Sequence, residues 1–516
     1  MTAFLFLLKV IIMKYKNPII RGFNPDPSVC RVGSDYYLVT SSFEYFPGIP
    51  VYHSTDLVNW ELIGHCINRT SQLPMNEAQS SGGVWAPTIR YDNGTFYVTA
   101  TFSGKGNFIM QTDNPRGPWS DPVWVEMDGI DPSMFFEDGK MYYCANDCGE
   151  RQKKYSSEGI SVAQIDPETG KIIGETVRIW TGTGGGFLEA PHIYHIGDWY
   201  YVIAAEGGTG LNHMVTAARC REIMGEYEPC PYNPVLTNRG DTSKQIACAG
   251  HADLIDDKNG NWWLVHLGTR PANNFLSHLG RETFLTPVVW ENEWFFVEGK
   301  KAVINVSAPV LAEQKRINEW SAKFTENEYD KHLIFLKNPF WENYQCENGC
   351  LTLVSTTVKI TDKNLSPTFI AVRPIDFDSE TDIEFEFEPR SEGDEAGAAI
   401  YLTPDFMYRI CKRRGADGDY ITIIKTADDF TETAYNEKIE NGTVRIKIKA
   451  SKSHYEFYYS VGENDFQYAT AAATRFLSCE LAGRCFTGVL TGIYAQSENG
   501  TGAEAKFYRF TQKCLS

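Results

Sequence analysis

The sequence predicts an all-β protein, a five-bladed β-propeller followed by an antiparallel β-sandwich. Three observations carry this reading. Five similar segments recur along the first two-thirds of the chain at intervals of roughly 45–60 residues, the spacing of repeat architectures. Helical periodicity is almost absent. The C-terminal third carries strict two-residue alternation, as in Ile383-Glu384-Phe385-Glu386-Phe387-Glu388 and Val444-Arg445-Ile446-Lys447-Ile448-Lys449. Such alternation marks strands with one buried and one wet face.

The five segments are NPDPSVCRVGSDYYLVTSS from Asn24, VWAPTIRYDNGTFYVTATF from Val84, GIDPSMFFEDGKMYYCAND from Gly129, FLEAPHIYHIGDWYYVIAAE from Phe187 and GHADLIDDKNGNWWLVHLG from Gly250. Each opens with a polar or aromatic residue beside Pro or Ala. An apolar pair, a Gly/Asp/Asn turn and an aromatic-rich strand follow. Further strands, such as Trp60-Glu61-Leu62-Ile63 after the turn at Asp56, bring each repeat to about four. Five four-stranded units close radially into a propeller, which shelters sheet edges. The expected division is an N-terminal extension over 1–16, the propeller over 17–306, a linker over 307–324 and the sandwich over 325–516.

Composition narrows the function. Asp and Glu number 66 against 48 Lys and Arg, a formal charge of −18. Such a surface repels phosphate backbones, so nucleic acid is not an expected partner. Aromatic residues reach 13%, which suits both stacked sheets and the C–H faces of sugars. The 13 cysteines follow neither a disulfide framework nor a zinc spacing and read as free thiols. The apolar start MTAFLFLLKVII lacks a basic n-region and a cleavage site. The compartment expected is therefore the cytoplasm, with secretion kept open by that apolar stretch. No run is long enough to span a bilayer, so no membrane partner is expected; a homo-oligomer is allowed.

In a propeller the first strand of each blade lines the axis. The opening residues Asp26, Trp85, Asp131, Glu189 and His251 are then expected to converge at one end of it. An isolated Asp-Pro-Ser is ordinarily a turn. Three acids at the start of repeated units point instead to glycoside hydrolysis, which needs two carboxyl groups flanking the scissile bond.

The segments FNPDPS, GIDPSMFF, FLEAPHIY, GHADLI and LGRETFL resemble glycoside hydrolase family 43, in the β-xylosidase and α-L-arabinofuranosidase branch with a C-terminal sandwich. The resemblance runs from Asn17 to near the end. It implies a propeller of inverting enzymes and a concanavalin-like sandwich. It implies that Asp26 is the general base, Glu189 the general acid, and Asp131 the third acid that tunes and orients it. An inverting pair sits roughly 6.5–9.5 Å apart, leaving room for water. The resemblance further implies substrate contacts from Phe43, Trp85, Thr209, His251 and Arg281. His251 would hold water or an ion, Ca²⁺ being the candidate, in the channel; no cofactor is required. Arg281 would also keep Asp26 ionised.

The substrate expected is a short β-1,4-xylo-oligosaccharide, cleaved from its non-reducing end. An α-L-arabinofuranosidase on arabinoxylan fragments is the alternative, and a non-catalytic sugar-binding protein a remote one. One departure bears on the leaving-group side. The stretch Cys144-Ala145-Asn146-Asp147-Cys148-Gly149 lacks the Trp common in this branch.

Overall fold

A computed structural model describes residues 13–147, 159–310, 312–325, 329–483 and 485–515. Five four-stranded antiparallel sheets follow one another in chain order. Their innermost strands are Ser28–Val32, Val84–Asp92, Ser133–Glu137, Glu189–Ile196 and Ala247–Asp256. Each touches the next, and the fifth touches the first, so the ring closes. The aromatic-rich second strands pack between blades, with Val98, Tyr143, Val202 and Leu264 fully buried.

The two ends of the propeller are tied together by polar contacts. Met13–Lys16, read from sequence as part of the extension, pairs with Asn305–Ala308. The Asn17 amide donates to the Leu285 carbonyl at 2.9 Å and accepts from its N–H at 2.9 Å. Along the axis, Asp253 of the fifth blade accepts from Ser28, Arg90 and Tyr194, which belong to three other blades. A fully buried carboxylate with these donors fixes blade positions, because any mispairing would leave its charge unsatisfied.

The second domain is a sandwich of two eight-stranded sheets. Glu319–Ser321, read from sequence as linker, pairs with Glu504–Cys514 and so belongs to it. One connection was not visible in the sequence. Tyr45–Phe46, inside the first blade's loop SSFEYFPG, pairs with Ile334–Leu336 and forms an edge strand of the sandwich. A single apolar core of Phe23, Phe43, Tyr45, Phe369 and Tyr494 therefore spans both domains. Sharing an edge strand and a core makes the sandwich a fixed wall beside the propeller's axial end.

Candidate active site

The blade openings share a strained backbone. Asp26, Ala86, Asp131, Ala190 and His251 all have positive φ, at 54°, 41°, 53°, 52° and 47°. Non-glycine residues in this region cost about 1–3 kcal/mol each, and such strain clusters at functional sites. The pattern also corrects the register of the repeats. Asp26, Asp131 and His251 occupy the kink itself. Glu189 and Trp85 precede it by one residue, with Ala190 and Ala86 at the kink. The acids are thus not at equivalent positions. The shift lets Glu189 present its carboxyl from a different point of the strand than Asp26 does.

Asp26 is almost completely buried. Ser41 Oγ donates to its Oδ2 at 2.6 Å, and Arg281 Nη1 donates to its Oδ1 at 2.6 Å. His251 Nδ1 lies 3.5 Å from the same Oδ1. Burial alone would raise this carboxyl, but the Arg281 guanidinium, His251 and the Ser41 hydroxyl together hold it below the usual range. The opposite holds for the other two acids. Glu189 is pushed up to about 7 by burial and then by the negative charge of Asp26, with Arg281 opposing. Asp131 is also raised well above the usual carboxylate range, by burial, by Glu189 and by Asp26. The influence expected of Asp131 on Glu189 runs the other way: the Glu189 charge raises Asp131, while Glu189 itself is raised by burial and Asp26.

Asp131 is anchored from its own blade. The Asn146 side chain accepts from the Ile130 N–H at 2.6 Å. Gly129 lies so close to the Asn146 carbonyl that a Cβ there would sit 2.0 Å from it. The segment flagged for its missing Trp therefore contributes Cys144, Ala145 and Asn146 as buried residues. Cys148 and Gly149 lie outside the described residues.

Arg281, Thr209, Phe43 and Trp85 gather around Asp26 or its neighbours. Arg281 Nη1 donates to Thr209 Oγ1 at 3.3 Å, and its guanidinium lies 5.5 Å from the Phe43 ring centre. Trp85 Nε1 donates to the Ser81 carbonyl at 3.0 Å. His251 is buried and kept neutral, since burial lowers it more than Asp26 raises it. Every residue singled out from sequence is accordingly near the axial end.

Sequence reasoning missed four contributors. Ser41 carried no signal, being one of two adjacent serines after a strand. It bonds Asp26 and also accepts from the Ala86 N–H at 2.7 Å, linking two kinks. His213 donates from Nδ1 to the Cys248 carbonyl at 3.0 Å. It packs on Gly250, where a Cβ would meet its ring at 2.5 Å. Glu206 accepts from the Thr183 N–H, the Gly185 N–H and the Thr216 hydroxyl at 2.8, 2.7 and 2.9 Å. It thereby pins the glycine-rich turn that leads to Phe187 and Glu189. Phe486 comes from the sandwich. Its carbonyl accepts from Arg281 Nη2 at 3.2 Å, its N–H donates to Ser81 Oγ at 2.9 Å, and its ring stacks 6.4 Å from Phe43. Phe486 falls in the stretch 325–516 expected as sandwich; its contact, 205 residues beyond Arg281, was not legible.

The donors around His251 do not fit a directly bound Ca²⁺, which takes six to eight oxygen ligands. The carboxylate present, Asp26, is already engaged by Arg281 and Ser41, and the other groups are imidazoles. Among the described residues, no group of three or more His, Cys, Asp or Glu side chains is arranged to hold a metal. Among the described residues, no helix is long and apolar enough to cross a membrane.

Comparison with known proteins agrees with this geometry. The sequence pattern of Glycosyl hydrolases family 43 matches residues 15–295. That of the Beta xylosidase C-terminal Concanavalin A-like domain matches residues 321–513. The chain is 39% identical to the non-reducing end alpha-L-arabinofuranosidase BoGH43B of Bacteroides ovatus, over 97% of this chain and 95% of that one. It is 32% identical to a beta-xylosidase of Bacillus subtilis, over 97% of this chain and 100% of that one. Among solved structures, Bacteroides ovatus Xyloglucan PUL GH43B superposes with a TM-score of 0.92 at 38% identity, covering 98% and 100% of the two chains. The GH43 protein BlXynB of Bacillus licheniformis superposes with a TM-score of 0.90 at 32% identity, with the same coverage. The chain is a glycosidase, and it belongs to glycosyl hydrolases family 43.

Proposed function

We propose that this enzyme removes a single pentosyl residue from the non-reducing end of a glycan by an inverting single displacement. Asp26 is the base that activates water, Glu189 the acid that protonates the leaving oxygen, and Asp131 the group that keeps Glu189 protonated and oriented. The observation that carries this reading is the opposite polarisation of the acids. Asp26 is held ionised by Arg281 and Ser41, while Glu189 sits near 7. A base must be ionised and an acid protonated at the same pH, and that separation assigns the roles.

Phe486 supports exo action. The sandwich supplies a wall beside Phe43, and a pocket blocked on that side accepts a chain end. His251 and Thr209 line it with polar groups for hydroxyls. No step requires a metal.

The α-L-arabinofuranoside is placed first as substrate, because the relative named for that activity shares 39% of its residues with this chain. The β-1,4-xyloside expected from sequence is the second reading, favoured by the relatives named beta-xylosidase at 32%. Measuring kcat/KM on 4-nitrophenyl α-L-arabinofuranoside and 4-nitrophenyl β-D-xylopyranoside decides between them. A tenfold or larger preference for the arabinoside is expected; a preference for the xyloside reverses the order. Hydrolysis of neither sinks the pentosidase reading.

A further inference from the structure

A cavity of about 260 Å³ lies between the propeller's N-terminal arm, the connecting segment and the sandwich, and none of the three acids lines it. Its polar lining is one-sided. Arg373 (Nε and Nη2), Arg316 (Nε) and Gln512 (Nε2) line it and carry buried nitrogens with no acceptor. All of these atoms are donors. No Asp or Glu is among the described residues that line it. Asp376 and Glu282, which act on Arg316, are already engaged by Arg21 and Arg270. Among the described residues no carboxylate acts on Arg373, whose ionisable neighbours are the Tyr52 and Tyr45 hydroxyls. The remaining walls are largely apolar, with Ile20, Leu62 and Val372 among them.

Buried guanidinium nitrogens without an acceptor are costly, and a cluster of unmet donors needs one. A guest that satisfies them is acceptor-only at one end and small enough for the space. Planar forked donors match the oxygens of carboxylates and phosphates. The surrounding chain is strongly acidic, so this basic pocket is not a general property of the surface.

We propose that this interdomain cavity binds one small oxyanion, a carboxylate or phosphate, which bridges Arg373 and Arg316 and clamps the sandwich to the propeller. Such a guest binds only the folded, docked chain, so it raises the unfolding temperature.

The test is thermal unfolding of the full chain in phosphate, acetate or butyrate, with chloride holding ionic strength constant. A saturable rise of about 2 °C or more is expected with at least one of them. A rise with phosphate alone assigns the phosphate class. A rise with acetate and a tighter one with butyrate assigns a carboxylate whose apolar end meets the walls. Arg373→Met should abolish the rise. Gln512→Glu should raise the unfolding temperature in chloride and abolish the response, since it supplies the anion internally; it carries the test if Arg373→Met does not fold. Turnover of a 4-nitrophenyl pentoside should be unchanged in Gln512→Glu. Absence of a saturable rise with all three anions, or a rise that persists in Gln512→Glu, overturns the proposal.

Discussion

Arg281 Nη1 donates to Asp26 Oδ1 at 2.6 Å while its Nη2 donates to the Phe486 carbonyl at 3.2 Å. One guanidinium thus joins the proposed base, in the first blade, to the domain that walls the pocket. Both partners are buried, so each depends on the other. Removing one partner of a buried pair leaves an uncompensated charge, at a cost of about 3–5 kcal/mol. Asp26→Ala should therefore lose at least about 10³-fold in kcat and also unfold at lower temperature. Calorimetry alongside initial rates checks both. Near-normal turnover would remove Asp26 from the base role.

Glu189→Gln should behave oppositely in stability. Its carboxyl rises from an unfolded value of about 4.3 to about 7 in the folded chain. The stability contributed by its protonated form is full below the unfolded value and is lost as pH rises through the folded one. The wild type should thus lose on the order of 3 kcal/mol from this group between pH 4 and 8. Glu189→Gln escapes that loss, so it should be inactive yet more stable than wild type at pH 8. Denaturant unfolding at pH 4.5 and pH 8 measures the difference; an equal effect at both would contradict it.

The same shifts set the rate profile. Asp26 must be ionised and Glu189 protonated, so kcat/KM should fall on the alkaline side near pH 7 and on the acid side below the ordinary aspartate range. Arg281→Lys loses the forked contacts and should move the acid limb upward. A profile flat through pH 8 would deny Glu189 its role.

Phe486 tests the contribution of the sandwich. Phe486→Ala keeps the backbone carbonyl on Arg281 but removes the ring stacked on Phe43. If the ring walls the sugar site, KM should rise roughly tenfold, with kcat changed less, because such a contact acts in ground and transition states alike. Unchanged kinetics would make the wall irrelevant to binding.

Glu206 tests the turn before the acid. Glu206→Gln replaces a carboxylate oxygen, facing the N–H groups of Thr183 and Gly185, with an amide that carries its own hydrogens. The turn should loosen and kcat should drop about tenfold. The alkaline limb should shift as well, since Glu189 follows this turn; a loss of stability with an unmoved limb would mark a structural role only.

Much of this was legible because the repeat is written in local chemistry. Asp-Pro, Ala-Pro and His-Ala dipeptides at each opening, each before a strand, mark five kinks that the ring then brings together. Of the residues seen from sequence, Asp26, Asp131, Glu189, His251, Arg281, Phe43 and Trp85 belong to repeat openings or quoted motifs, and Thr209 follows the fourth repeat. What stayed hidden depends on long-range contact. Ser41 looks like any serine until the chain folds it onto Asp26. The edge strand Tyr45–Phe46 is recruited by a domain that begins far downstream, and Phe486 reaches the site only through that docking. The one-residue offset of Glu189 is a matter of φ, which an alignment of similar segments does not show.

The central claim is that Asp26 directs water to the face of the sugar opposite the bond that Glu189 protonates. Proton NMR of the first sugar released, recorded before mutarotation, tests it directly. Inversion releases the anomer opposite to the substrate's: β-L-arabinose from an α-L-arabinofuranoside, or α-xylose from a β-xyloside. Release of the anomer that the substrate carried would contradict it, because retention requires a covalent intermediate on one of these carboxylates.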